Sequence, residues 1–235
     1  MRLDIYLTKQ HNIQSRNKAQ ELIKSKKVLV DGKVVTKSSF VVNDKHNIKI
    51  DEDEFYVSRA AYKLKYFLED NSIEIKDKDA LDIGSSTGGF TQILLLNDIK
   101  SVTCVDVGSN QLHKTLKDDK RIIIKENTDI REFQSEQKYD LVTCDVSFIS
   151  ILYIIEDIHR LSFDKIIILY KPQFEVGRTV KRDSRGVVQD KESMDNCRDQ
   201  FLETTKKLGW KLIVSNLSKL SGKSGNIEEL FYFKK

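Results

Sequence analysis

No apolar run in this 235-residue chain approaches the roughly 18 residues that cross a bilayer, and the N-terminus MRLDIYLTKQ lacks the apolar stretch of roughly 7–15 residues that a signal peptide needs. No membrane insertion is expected; a soluble cytoplasmic protein is. Cysteine is equally scarce. Cys104, Cys144 and Cys197 are odd in number and lack metal-ligand spacing, and two fall inside apolar strand patterns, so reduced thiols are expected and neither disulfides nor zinc should hold the fold. Proline occurs once, at Pro172, and there are no internal repeats or long low-complexity tracts.

The chain is long enough for one domain of moderate size plus a small one, and 39% hydrophobic content supports a real core. Its net charge of +4 is unevenly placed. Residues 1–50 hold 11 Lys and Arg against 4 Asp and Glu, a net of +7, which leaves −3 for the remainder. Such an excess suits a polyanionic partner, or is simply a solvated basic face.

Within that basic segment, Leu3, Ile5, Tyr6 and Leu7 predict a first helix, and Ser15 is placed to cap a second in which Ala19, Leu22 and Ile23 keep helical spacing. VLV and KVV then flank Asp31-Gly32, a dipeptide suited to a tight hairpin because both turn residues need positive φ. NIKI is a third short strand, and the acidic DEDE of 51–54 reads as a solvated linker. The run Arg2-Leu3-Asp4, Ser15-Arg16, Ala19, Ile23 and Val28-x-Val30-Asp31-Gly32-x-x-Val35 resembles the alpha-L, or S-four, RNA-binding fold. Lys26 stands where that family commonly has glycine, so a differently shaped turn is expected, a left-handed non-glycine residue costing about 1 kcal/mol or more. The resemblance implies an RNA face lined by Arg2, Ser15, Arg16, Lys18, Lys24, Lys27 and Lys33, holding phosphates without reading sequence.

From residue 58 the pattern changes. Ser58 is a cap candidate for FYVSRAAYKLKYFLED, after which strands and helices alternate: ALDIG, a helix from Gly88, VTCVDV, a helix through Leu116, RIIIKE, YDLVTCDV, a helix over 150–161, KIIILYK, a helix over 191–207, KLIVSN and ELFYF. This is the signature of a doubly wound α/β sheet, with the last two strands expected as an antiparallel hairpin at one edge.

LDIGSSTGGFTQ puts a glycine-rich turn between the first of these strands and its helix, where nucleoside ligands bind in such sheets. Gly84 and Gly89 match a dinucleotide fingerprint, but Ser86 replaces its middle glycine and no Gly-Lys-Ser/Thr makes a phosphate loop. Asp106, 22 residues after Gly84, is placed to accept hydrogen bonds from ribose hydroxyls. S-adenosylmethionine, NAD and a merely structural turn all remain open on these residues. Lys171 poses a separate question at the mouth of the apolar strand Ile166 to Leu169: it is either a snorkelling strand-end lysine or a charge with chemistry to perform. Lys63, Asp145 and Glu228 also lie before or at the ends of strands, where an ordinary rim ion pair is the plain alternative for any two of them.

Together Lys63, Asp145, Lys171 and Glu228 resemble the Lys-Asp-Lys-Glu tetrad of FtsJ-like RNA 2'-O-ribose methyltransferases. With SRAAYKL, DIGSSTGGFT, CDVSFIS, KPQFEVG and SGNIE in order, the full chain resembles the TlyA family of ribosomal RNA methyltransferases, whose members are often labelled hemolysins. The resemblance implies an RNA-binding domain with its acidic linker over 1–57 and a Rossmann-like methyltransferase domain over 58–235. It implies S-adenosylmethionine held by Asp82, Gly84, Ser85, Ser86, Thr87, Gly88, Gly89, Phe90, Asp106 and Asp145, and methylation of a cytidine 2'-hydroxyl in ribosomal RNA without a metal. Lys171 would be the base, oriented with Lys63 by Asp145 and Glu228. Phe148 and Phe174 either stack on an unpaired nucleotide or pack in the core. The compact ends resemble the shorter family members, which modify only the large subunit. A member acting on both subunits, or a non-catalytic RNA-binding assembly factor, is the alternative.

Overall fold

The structure, a computed structural model, describes residues 1–11, 13–50, 56–177 and 179–235. It divides into two compact units, Met1–Phe55 and Tyr56–Lys235. Residues 51–54, read above as a linker, lie outside the described residues.

The first unit consists of α1 (Leu3–Gln10), α2 (Arg16–Lys24), and a three-stranded antiparallel sheet ordered β2 (Lys33–Val34), β1 (Val28–Val30), β3 (Ile48–Ile50). Ser15 caps α2, its hydroxyl accepting the Lys18 N–H. Leu3, Leu7, Ala19, Leu22, Ile23 and Val28 close the core from both helices and the sheet. The hairpin turn has Asp31 at φ 50° and Gly32 at φ 76°, the two positive angles that its sequence predicted. The expected change of shape at Lys26 does not occur. Lys26 itself takes the left-handed conformation, φ 65°, and the Lys27 N–H closes on the Leu22 carbonyl at 3.1 Å, so a lysine carries the turn that glycine would carry more cheaply.

The second unit starts with α3 (Arg59–Asn71) and continues through β4 (Asp79–Ile83), α4 (Gly89–Leu96), β5 (Ser101–Val105), α5 (Lys114–Lys117), β6 (Ile122–Lys125) and β7 (Tyr139–Cys144). It ends with α6 (Ile155–Leu161), β8 (Ser162–Tyr170), α7 (Pro172–Glu175), α8 (Lys191–Lys207), β9 (Lys211–Leu217) and β10 (Glu229–Lys234). Tyr56 and Val57, grouped with the first segment from sequence, are buried in this unit's core. The helix expected through Leu116 is a single turn, and that over 150–161 begins as a 3-10 turn, Ile151–Tyr153, before α6.

Seven strands lie in the order β6-β5-β4-β7-β8-β10-β9, with β4 to β8 parallel. β10 pairs antiparallel with both β8 and β9. The two last strands form the expected antiparallel hairpin at one edge, with β9 outermost and β10 between it and β8. That placement carries the preceding 218–228 segment, and Glu228 with it, back to the end of β8. β8 shows why the sheet is buried on both sides: Ile167 and Leu169 pack with Leu64, Phe67 and Leu94 on one face, while Ile166, Ile168 and Tyr170 pack with Ile158, Phe201 and Phe231 on the other. Each such side chain contributes about 1.5–3 kcal/mol of burial. Cys104 and Cys144 are buried thiols, Cys197 is half-buried, and all three are free.

Candidate active site

The C-terminal ends of β4, β5, β7 and β8 bring four loops to one side of the sheet, the place where a doubly wound fold binds ligands. The glycine turn after β4 is shaped by close approach. Gly84 has φ 75°, and a Cβ there would lie 2.9 Å from the Asp145 carbonyl oxygen, so only glycine lets the β4 and β7 ends come together. Ser86, in place of the fingerprint's middle glycine, takes φ 45° and donates its N–H to the Asp106 carboxylate at 2.8 Å. The other Asp106 oxygen accepts the Gly108 N–H at 2.7 Å, so this one carboxylate ties the first two loops together.

Two adjoining cavities share this turn. The larger, about 360 Å³, is bounded by Gly84, Ser86, Asp106, Asp145 and Phe148. Gln111, Thr128, Asp129 and Ile130 also line it. Nothing in their residue types singled these four out; their one signal was position, since Thr128 to Ile130 follow the β6 strand end. The smaller cavity, about 180 Å³, is bounded by Ser85, Thr87, Gly89, Phe90, Asp145 and Lys171, among others. Two residues expected at the cofactor line neither. Gly88 faces Leu112 and Leu116, and Asp82 is fully buried beneath the turn, accepting hydrogen bonds from Thr91 Oγ1 at 2.6 Å and Thr143 Oγ1 at 2.8 Å.

Burial pushes the Asp82 carboxyl up to about 6, against the two threonine hydrogen bonds that lower it. Its ordinary value in an unfolded chain is near 4. The folded protein therefore keeps a proton that the unfolded chain has released, and stability falls as pH rises from about 4 to about 6, by roughly 2–3 kcal/mol. Denaturant unfolding at pH 4.5 and 6.5 should show that loss in the wild type and a smaller one in Asp82→Asn. Equal losses would exclude Asp82 as the titrating group.

Lys63, Asp145, Lys171 and Glu228 come together as two ion pairs. Lys63, from the first half of α3, bonds Glu228, with both nearly inaccessible. Lys171 Nζ lies 2.6 Å from Asp145 Oδ1 and donates to Ser147 Oγ at 2.9 Å. Gln173 Nε2 donates to Glu228 Oε1 at 3.1 Å. Burial pushes the Asp145 carboxyl upward, opposed by the Lys171 and Lys63 charges and reinforced by Glu228. Two positive and two negative groups leave the cluster formally neutral. In this paired state Lys171 is an ammonium; once it has released that proton to solvent, its amine, held against a nucleoside-sized cavity, can take one from a bound hydroxyl. Phe148, 91% exposed at φ 68°, is not a core residue; its ring centroid lies 5.1 Å from that of half-buried Phe174.

In the first unit, the expected RNA residues divide. Arg2 and Arg16 both bond the fully buried Asp4, at 3.0 and 2.8 Å, and Gln20 joins them at 2.9 Å. Arg2 holds the Asp4 carboxyl well below the usual range, against the cost of burial and with help from Gln20 and Arg16. Lys18 pairs with Glu21 at 3.2 Å, and Ser15 is engaged as the α2 cap. Lys24 and Lys33 are exposed, and Lys27 is half-buried.

The sheet order, the glycine turn under a nucleoside-sized cavity and the paired lysines and carboxylates define a methyltransferase-type α/β protein. The family model described as FtsJ-like methyltransferase matches residues 56–235, and that described as S4 domain matches residues 1–48. Over 99% of both chains, the sequence is 47% identical to the 23S rRNA (cytidine-2'-O)-methyltransferase TlyA of Campylobacter jejuni. It is 35% identical to the 16S/23S rRNA (cytidine-2'-O)-methyltransferase TlyA of Mycobacterium tuberculosis, across 99% of this chain and 89% of that one. A solved protein from Streptococcus thermophilus described as a hemolysin superposes with a TM-score of 0.73 at 29% identity, covering 100% of this chain and 88% of that one. The chain belongs to the TlyA family of FtsJ-like methyltransferases. Among the described residues no helix is long and apolar enough to cross a membrane.

Proposed function

We propose that this protein transfers a methyl group from S-adenosylmethionine to the 2'-hydroxyl of a cytidine in large-subunit ribosomal RNA. The observation that carries the reading is the paired cluster: Lys171 with Asp145, which border the cavity beside the glycine turn, and Lys63 with Glu228. Gly84, Ser86 and Asp106 fit the cofactor: the turn leaves room for a nucleoside and Asp106 borders the larger cavity as a ribose acceptor, while residues 84–90 bring no lysine or arginine for phosphates. When bound, the cofactor supplies a methyl on a sulfonium, already activated, whose C–S bonding pair returns to sulfur as the ribose oxygen bonds to carbon. The chain's own residues do the rest. Lys171, after releasing its own proton to solvent, receives the hydroxyl proton at Nζ, which restores the ammonium paired with Asp145, and Lys63 with Glu228 keeps the surroundings neutral. Phe148, exposed at the cavity mouth beside Phe174, offers a face for an unstacked base.

The relative at 47% identity is named for 23S rRNA, which supports the large subunit. Incubation with undermethylated large and small subunits and tritiated S-adenosylmethionine tests this, with mapping of the labelled ribose. Label in a large-subunit cytidine is expected; label in the small subunit would refute the narrow assignment, and label in neither would refute the substrate class. The basic first unit supplies phosphate contacts in this reading. Lys24→Ala and Lys33→Ala, both at exposed positions, should each flatten the salt dependence of RNA binding by about one unit in log–log slope and leave the modified nucleotide unchanged. An unaltered slope in both would remove these lysines from the RNA face.

A further inference from the structure

Among the described residues, Ser147 is the hydrogen-bond partner of Lys171 that carries no charge and lies outside the Lys-Asp-Lys-Glu set. It follows the end of β7 by three residues, lines both cavities together with Gly84, Ser86 and Asp145, and accepts a hydrogen bond from Lys171 Nζ at 2.9 Å. The side chain of Lys171 is only 10% exposed, so water gives its nitrogen little alternative solvation.

An amine that accepts a proton must present its lone pair to the hydroxyl, and the direction of that lone pair is set by whatever holds the other tetrahedral positions. Cε occupies one. Asp145 Oδ1, 2.6 Å away, attracts the nitrogen as a charge but takes no aligned hydrogen bond from it, and so leaves it free to turn. Ser147 takes the directed bond, at 2.9 Å. With the amine anchored there and drawn toward Asp145, its lone pair is confined to the side that borders the cavity. The hydroxyl is also suited to both states of the base: it accepts from the ammonium and can turn to donate elsewhere, whereas a second carboxylate would pin the lysine in its protonated form.

We propose that Ser147 is a positioning residue for the base, fixing the rotation of the Lys171 amine so that its remaining position faces the ribose hydroxyl. The proposal rests on the reading of Lys171 as base. Ser147 itself is exposed, and the fold does not depend on it.

The test compares Ser147→Ala, Ser147→Thr and Lys171→Ala in the full chain, using undermethylated large subunits and tritiated S-adenosylmethionine. For Ser147→Ala, kcat should fall roughly 10- to 100-fold, with the KM for subunits, the affinity for S-adenosylmethionine and the melting temperature close to wild type. Ser147→Thr, which keeps the hydroxyl, should recover most of the rate. A wild-type kcat in Ser147→Ala, or a loss that appears in KM instead, would overturn the positioning role while an inactive Lys171→Ala leaves the base assignment standing. Turnover by Lys171→Ala would overturn the base assignment, and the role of Ser147 with it.

Discussion

Replacing Lys171 by alanine is expected to reduce methyl transfer by about 10²–10⁴-fold, the usual range for loss of a positioned general base, while S-adenosylmethionine affinity stays within a few-fold of wild type. The separation follows from placement. Lys171 follows β8 and borders the smaller cavity, which it shares with the glycine turn, and does not line the larger cavity that Asp106 borders. A ribose hydroxyl is almost fully protonated at neutral pH, so without an acceptor the oxygen attacks poorly even when correctly placed. The alanine variant also removes the charge that offsets the burial of Asp145, whose carboxyl burial already pushes upward. Lys171→Met, which keeps most of the side-chain volume, separates the chemical loss from any packing loss. Single-turnover transfer and calorimetric binding measured on both variants decide the matter; wild-type turnover in either would remove Lys171 as base.

Lys63→Met should produce the largest loss of stability. Glu228 is 3% exposed, and Lys63 is its charged partner, so the substitution strands a carboxylate in a dry site. Breaking one side of a buried pair typically costs about 3–5 kcal/mol. The Gln173 amide still donates to Glu228, which places the expected cost at the low end, about 3 kcal/mol. For a unit of this size that is a fall in melting temperature of roughly 6–12 °C. The double variant Lys63→Met, Glu228→Gln removes the stranded charge and should regain most of the stability while remaining inactive. A melting temperature unchanged in the single variant would show that the pair does not bear on stability, and activity in the double variant would remove it from the chemistry.

Local features are legible in the amino-acid sequence itself. The Ser15 cap, the Asp31-Gly32 hairpin, the alternation of strands with helices and the α8 limits at 191 and 207 follow from periodicity and turn chemistry, which act over a few residues. The four charged residues are legible too, as an ordered set carried by resemblance.

Their pairing is decided elsewhere. Lys63 meets Glu228 across 165 positions of sequence, and it does so because β10 inserts between β8 and β9 and returns the 218–228 segment to the end of β8. Strand periodicity fixes which face a side chain points to, but not which strand becomes the neighbour. Asp82 shows the same limit from the other side. In sequence it stands two residues before Gly84 and reads as part of the cofactor loop; in the fold the strand's alternation turns it inward, where Thr91 and Thr143 supply the hydrogen bonds that permit its burial. Asp4 likewise engages Arg16 and Gln20 only once α1 and α2 pack together. Hydrophobic period and turn residues are properties of a short stretch of chain and can be read from it. Ion pairs, close backbone approach at Gly84 and the Ser147 contact depend on where distant strand ends converge, and that is set by the packing of the whole sheet.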